Sequence, residues 1–142
     1  MELSKRTQYG IRALVCFADA YQQGHLQARE LSKRERLPPK FLESILNSLT
    51  RGRFLISRKG PTGGYRLARP PQEITLGEII TRLETSPLLD ALPGIANERP
   101  GETAVRLIQN RLTESFRAYL EKTPLAELAA DVSLGGGQMY YI

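Results

Sequence analysis

Arg58-Lys59-Gly60-Pro61-Thr62-Gly63-Gly64-Tyr65-Arg66-Leu67-Ala68-Arg69 decides how the rest of the chain is read. Phe54, Leu55 and Ile56 lead into it, and Tyr65 and Leu67 alternate with Arg66 on the way out, the period of a half-exposed strand. Gly60, Gly63 and Gly64 accept backbone angles that a Cβ resists, and Pro61 sets its own φ. The stretch reads as a β-hairpin with a glycine-rich tip and basic legs. Such a tip can approach another backbone closely, while Arg58, Lys59, Arg66 and Arg69 offer charge to phosphates. An ordinary charged surface hairpin would look the same, so the preceding segment has to separate the two readings.

That segment predicts three helices. Ser4 is placed to cap the first, which runs to about Gln22 with Ile11, Leu14, Val15 and Ala18 as its buried stripe. Cys16 lies among these apolar neighbours, either as an inert buried thiol or as a redox sensor. His25 follows in a loop. The second helix is short, from about Ala28 to Arg34, and turns through Glu35-Arg36-Leu37. Pro38 and Pro39 open the third, since first-turn N–H groups lack partners anyway. Its apolar face is Phe41, Leu42, Ile45, Leu46 and Leu49, and Lys40, Glu43, Ser44 and Asn47 recur at i, i+3, i+4 and i+7 opposite. A short helix, a turn and a helix with a compact polar face form a helix-turn-helix, whose second helix enters the major groove. With the basic hairpin after it, the pattern is a winged helix-turn-helix: mainly α with a small β wing.

Charge supports nucleic acid as the partner. Residues 1–70 hold 14 Lys+Arg against 5 Asp+Glu, a net of +9, and residues 71–142 hold 6 against 10, a net of −4. No stretch pairs a basic face with a broad greasy one, and no apolar run is long enough to span a bilayer, so no membrane role is expected and the cytoplasm is the natural compartment. One cysteine and one histidine in separate segments leave no catalytic constellation, and no cofactor is expected. The chain divides into a DNA-binding domain over 1–84, an irregular Pro- and Gly-punctuated loop over 85–103, a helical segment over 104–134 and a tail over 135–142. The longest helical signal runs from Glu102 to about Lys122. Its stripe, Val105, Ile108, Leu112, Phe116, Tyr119 and Leu120, has little else in the chain to bury against and predicts a two-fold dimerisation helix. After Gly135-Gly136-Gly137, a flexible linker, the residues Met139, Tyr140, Tyr141 and Ile142 are apolar and aromatic, suited to folding back on the dimer or to docking into a partner.

Leu3-Ser4, Tyr9-Gly10-x-Arg12-Ala13-Leu14, Phe41-Leu42-Glu43 and Gly63-Gly64-Tyr65-x-Leu67-Ala68 together resemble the bacterial Rrf-two repressor family. The similarity continues through Ile74-Thr75-Leu76-Gly77-Glu78-Ile79-Ile80 and Thr123-Pro124-Leu125-Ala126-Glu127-Leu128, covering nearly the whole chain. The resemblance implies a homodimer on a palindromic double-stranded DNA operator. Lys40, Glu43, Ser44 and Asn47 would face the bases, with Pro39 also at the DNA, Arg58, Lys59, Gly60, Gly63, Gly64 and Arg66 would form the wing, and Ser4, Lys5 and Tyr9 would touch phosphates. Cluster-binding members carry three cysteines in the loop that here spans 85–103. This loop has none and offers Ser86, Asp90, Asn97 and Glu98 instead, which implies the clusterless, cysteine-metabolism branch. That branch also implies a partner for the tail: cysteine synthase (O-acetylserine sulfhydrylase), with the Ile142 carboxylate imitating that of the substrate. Competing expectations are a repressor sensing oxidants through Cys16, one sensing a small molecule through the 85–103 loop, and an enzyme-modulating interaction protein that binds DNA weakly.

Overall fold

The computed structural model describes residues 2–85 and 89–135. The elements run α1 (Lys5–Asp19), α2 (Ala28–Glu35), α3 (Pro39–Arg51), β1 (Leu55–Arg58), β2 (Gly64–Leu67), a 3-10 turn (Pro71–Glu73), α4 (Leu76–Leu83), α5 (Pro100–Lys122) and α6 (Leu125–Ser133). Winged helix-turn-helix topology and the long C-terminal helix are both present. Ser4 caps α1 by accepting from the Thr7 amide. The helix stops at Asp19, short of Gln22, because Gln22 adopts a left-handed φ of 67° before Gly24 turns the chain. α5 starts earlier than its apolar stripe announces, with Pro100 in its first turn and Glu102 closing a reciprocal bond to the Arg99 amide.

One core holds α1 to α4 together. Leu14 and Phe17 of α1 meet Leu31, Leu42, Ile45, Leu46 and Leu49, closed below by Ile74, Ile79 and Leu83. Each such side chain contributes about 1.5–3 kcal/mol through burial. Glu84 joins the two ends of this unit, its Oε2 accepting from the Ser4 amide at 3.1 Å and from the fully buried Thr7 hydroxyl at 2.8 Å. After α5 has run outward the chain returns. The Leu125 amide bonds the Ile74 carbonyl at 2.7 Å, the Leu76 amide bonds Thr123 at 2.9 Å, and Leu125 enters the core fully buried. Residues 123–129 thus pack into the same core as residues 1–84.

β1 and β2 pair antiparallel, Leu55 with Leu67 through Arg58 with Gly64. The hairpin is anchored by a third strand-like residue: Leu26 and Tyr65 exchange two backbone bonds of 2.8 Å. Gly63 and Gly64 are therefore occupied by their own chain. A Cβ on Gly63 would lie 2.1 Å from the Arg58 carbonyl oxygen, and one on Gly64, at a φ of 133°, 2.4 Å from that of Leu26. Gly60, at a φ of 106°, has open space around it.

Gly63→Ala is accordingly expected to cost about 2–3 kcal/mol, as a backbone collision that no rotamer relieves. Gly60→Ala should cost less, since only its φ opposes a side chain. Urea melts of the two variants check the ranking, and an equal loss in both would contradict the packing role of Gly63.

Candidate nucleic-acid interface

The turn between α2 and α3 aims the interface. Arg36 takes a left-handed φ of 54° and caps α2 by donating its amide to the Ser32 carbonyl. The buried Ser32 hydroxyl donates to the Leu37 carbonyl at 2.6 Å, and the Leu37 amide returns to Ser32 at 3.0 Å. With Leu37 buried, the start of α3 has one direction available. Its inner face, Leu42, Ile45, Leu46 and Leu49, is buried, which leaves Pro39, Lys40, Glu43, Ser44 and Asn47 all exposed on the other.

Arg58, Lys59 and Arg66 are exposed on the hairpin, with Gly60 at its tip. Gln27, at the start of α2, donates from Nε2 to the Pro61 carbonyl at 3.2 Å, fastening the wing tip to the helix-turn-helix. Of the remaining expected contact residues, all but Lys5 have internal partners. Gly63 is buried, Gly64 packs on Leu26, and the Ser4 hydroxyl caps α1. Tyr9 stacks edge-on against Phe41 with ring centroids 5.5 Å apart, and the Arg12 guanidinium lies over its ring. Lys5 is exposed.

Three cations escaped the sequence reading. Arg29 and Lys33 of α2 line a small cleft with Pro39 and Glu43 of α3. Arg6 of α1 donates to the Ser44 hydroxyl at 3.4 Å. The i, i+4 spacing of Arg29 and Lys33, opposite the inward Ala28 and Leu31, was the available signal. Arg6 carries no such signal, because only the packing of α1 brings it to α3. Glu43 is the lone carboxylate among these groups, able to accept from a cytosine amino group.

On α5 the stripe divides. Val105, Ile108, Leu112, Phe116 and Tyr119 are exposed, Leu112 by 53% and Tyr119 by 61%, while Leu120 packs against the core of its own chain. The opposite side of α5 holds the preceding loop. The Asn110 amide accepts from the Leu92 N–H at 2.7 Å and donates to its carbonyl at 3.0 Å. Arg106 pairs with Glu98 at 2.9 Å, and this bond, with one from Thr103, holds the Glu98 carboxyl below the usual range. Cys16 is buried in α1, and burial pushes its thiol up, only partly offset by a hydrogen bond with Arg34. The tail residues Met139, Tyr140, Tyr141 and Ile142, and Ser86, lie outside the described residues.

Residues 3–131 match the Rrf2 family model, described as an iron-dependent transcriptional regulator. An HTH-type transcriptional regulator of Mycobacterium tuberculosis is 32% identical over 91% of this chain and 81% of its own. The regulator IscR of Cereibacter sphaeroides is 32% identical over 90% and 86%. Among solved structures, CymR, the global cysteine regulator of B. subtilis, superposes with a TM-score of 0.80 at 25% identity, over 92% of this chain and 97% of that one. Iron does not fit the residues this chain brings. The 85–103 loop has no cysteine or histidine, Cys16 is enclosed in α1, and no group of three His, Cys, Asp or Glu gathers among the described residues. The helix-turn-helix, the basic wing and a family match across nine-tenths of its length make one case: the chain belongs to the Rrf2 family of winged-helix transcriptional regulators.

Proposed function

We propose that this chain is a homodimeric repressor whose two α3 helices read successive major grooves of a two-fold-symmetric operator. The observation that carries it is a single outward surface, in the half of net charge +9, where Lys40, Glu43, Ser44 and Asn47 are exposed on α3 beside Arg58, Lys59 and Arg66 on the wing. Glu43 and Asn47 carry base recognition, because their groups can match base edges. The wing arginines and Lys59 neutralise phosphates, with Arg6, Arg29 and Lys33 adding to that charge. A second copy is the natural occupant of the α5 stripe. Val105, Leu112 and Tyr119 repeat at seven residues, and an exposed apolar stripe of that period can pair with its own copy about a two-fold axis.

Cysteine or sulfur metabolism is the regulated pathway in this reading, supported by the likeness to CymR and by a loop without cluster ligands. The tail completes it. Met139-Tyr140-Tyr141-Ile142 docks into a cysteine synthase, its apolar side chains carried on three glycines that let it reach a cleft. Ordering those glycines has an entropic cost, so the affinity is moderate.

Arg58→Ala should weaken binding to all duplexes alike and lower the slope of log K against log salt by about 0.9. Glu43→Ala should instead relax preference at one operator position, worth about 1–3 kcal/mol of discrimination. Leu112→Glu should yield a folded monomer with weak operator affinity. Fluorescence anisotropy across duplex variants and salt concentrations, with sedimentation for the monomer, measures all three. Identical losses for Arg58→Ala and Glu43→Ala on every duplex would refute the division of roles.

Cysteine synthase should be captured by the full chain and not by one truncated after Leu134, in a pull-down with both proteins purified. Equal capture by the two, or capture by neither, would return the tail to packing against its own dimer.

A further inference from the structure

A cleft of about 670 Å³ opens where the base of the wing, α4 and the C-terminal half of α5 meet. Apart from Arg69 at the base of the wing, none of its lining residues is an expected DNA contact, and none belongs to the free stripe of α5; its volume is typical of a small-molecule site. Its charges are balanced, with Arg69, Arg82 and Arg117 against Glu78, Asp90 and Glu121. They are not equally engaged. Arg69 is held by the Glu73 carbonyl at 2.7 Å and by Glu78 at 3.6 Å, with its guanidinium over the Phe54 ring. Arg117 bonds the Leu89 carbonyl and Glu114. Arg82 uses only Nε, which donates to the Ser48 carbonyl at 3.0 Å, so its two terminal nitrogens have no partner among the described residues. Asp90 and Glu121 likewise make no hydrogen bond or ion pair there.

We infer that this cleft binds an α-amino acid as its zwitterion. The open fork of Arg82 takes the carboxylate by two parallel bonds, Asp90 and Glu121 take the ammonium, and Phe54, Leu89 and Leu120 offer apolar surface to the side chain. A nucleotide or other polyanion is disfavoured, because the unpaired carboxylates outnumber the unpaired guanidinium. Arg82 is also built in rather than merely exposed. It lies so close over Gly52 that a Cβ there would come within 2.9 Å of its Nε. Through Ser48 it grips the last turn of α3, so a ligand joining Arg82 to Glu121 couples the base-reading helix to α5. This goes beyond the proposed repressor role and is read on the protein without DNA.

Calorimetric titration of the full chain with each proteinogenic L-amino acid, singly at millimolar concentration, tests it. At least one should bind saturably, and its N-acetyl and carboxamide derivatives should not. Arg82→Gln, and separately Asp90→Asn with Glu121→Gln, should each weaken that binding by about tenfold or more. Arg82→Gln also loses the bond to Ser48, so a thermal melt accompanies it. The carboxylate pair is exposed and keeps the test decisive if Arg82→Gln fails to fold. Failure of every amino acid to bind, binding indifferent to the folded variants, or equal binding of the blocked derivatives would overturn the assignment, whatever the operator experiments give.

Discussion

Two backbone hydrogen bonds between Leu26 and Tyr65 hold the DNA-binding surface together. A two-stranded hairpin is marginal in water by itself, and this one spans only Leu55–Arg58 and Gly64–Leu67. Bonding Tyr65 to Leu26, two residues before α2, makes the wing an extension of the helix-turn-helix. The bonds form only because Gly64 has no Cβ to strike the Leu26 carbonyl. The bond from Gln27 to Pro61 then ties the tip to the same segment, so wing and α3 keep one relative orientation. In the proposed complex, that orientation would set the register of the side chains that face the bases.

The rest of the chain divides inward-facing from outward-facing work. Residues 123–129 return to the core, with Leu125 buried and the Leu125 and Leu76 amides bonding across, so the base of α5 is fixed to the DNA-binding unit at Thr123. Along its length α5 presents one side to the loop held by Asn110 and Arg106 and leaves the other, from Val105 to Tyr119, open. Burying that open side against a second copy would transmit the spacing of two α5 helices directly to the spacing of two α3 helices. The cleft at Arg82 lies between the end of α3 and the end of α5, so the amino acid inferred to bind there would touch both.

Much of this was legible in the sequence because local rules suffice for it. Ser4 at the cap of α1, Pro38 and Pro39 before α3, the apolar period of Leu42, Ile45, Leu46 and Leu49, and the glycine turn all act over a few residues. A helix with one apolar face must expose the other, so Lys40, Glu43, Ser44 and Asn47 followed from spacing, and so did the apolar stripe from Val105 to Tyr119 on α5. Charge pointed to the half expected to meet a polyanion, because composition survives any folding. What remained out of reach depended on contacts between distant segments. Gly63 and Gly64 read as a tip kept bare for a partner, yet their missing side chains make room for Arg58 and Leu26. Tyr9 and Ser4, expected to touch phosphates, also have partners inside the protein that their spacing did not announce. Leu120 matches its neighbours in sequence period but faces its own core, where the backbone of α5 passes close to Gly77 of α4. Arg6 beside Ser44, and Arg82 at the end of α3, come from residues 38 and 34 positions away. Periodicity specifies which face of an element is apolar; only tertiary packing specifies what that face, and the polar one, will meet.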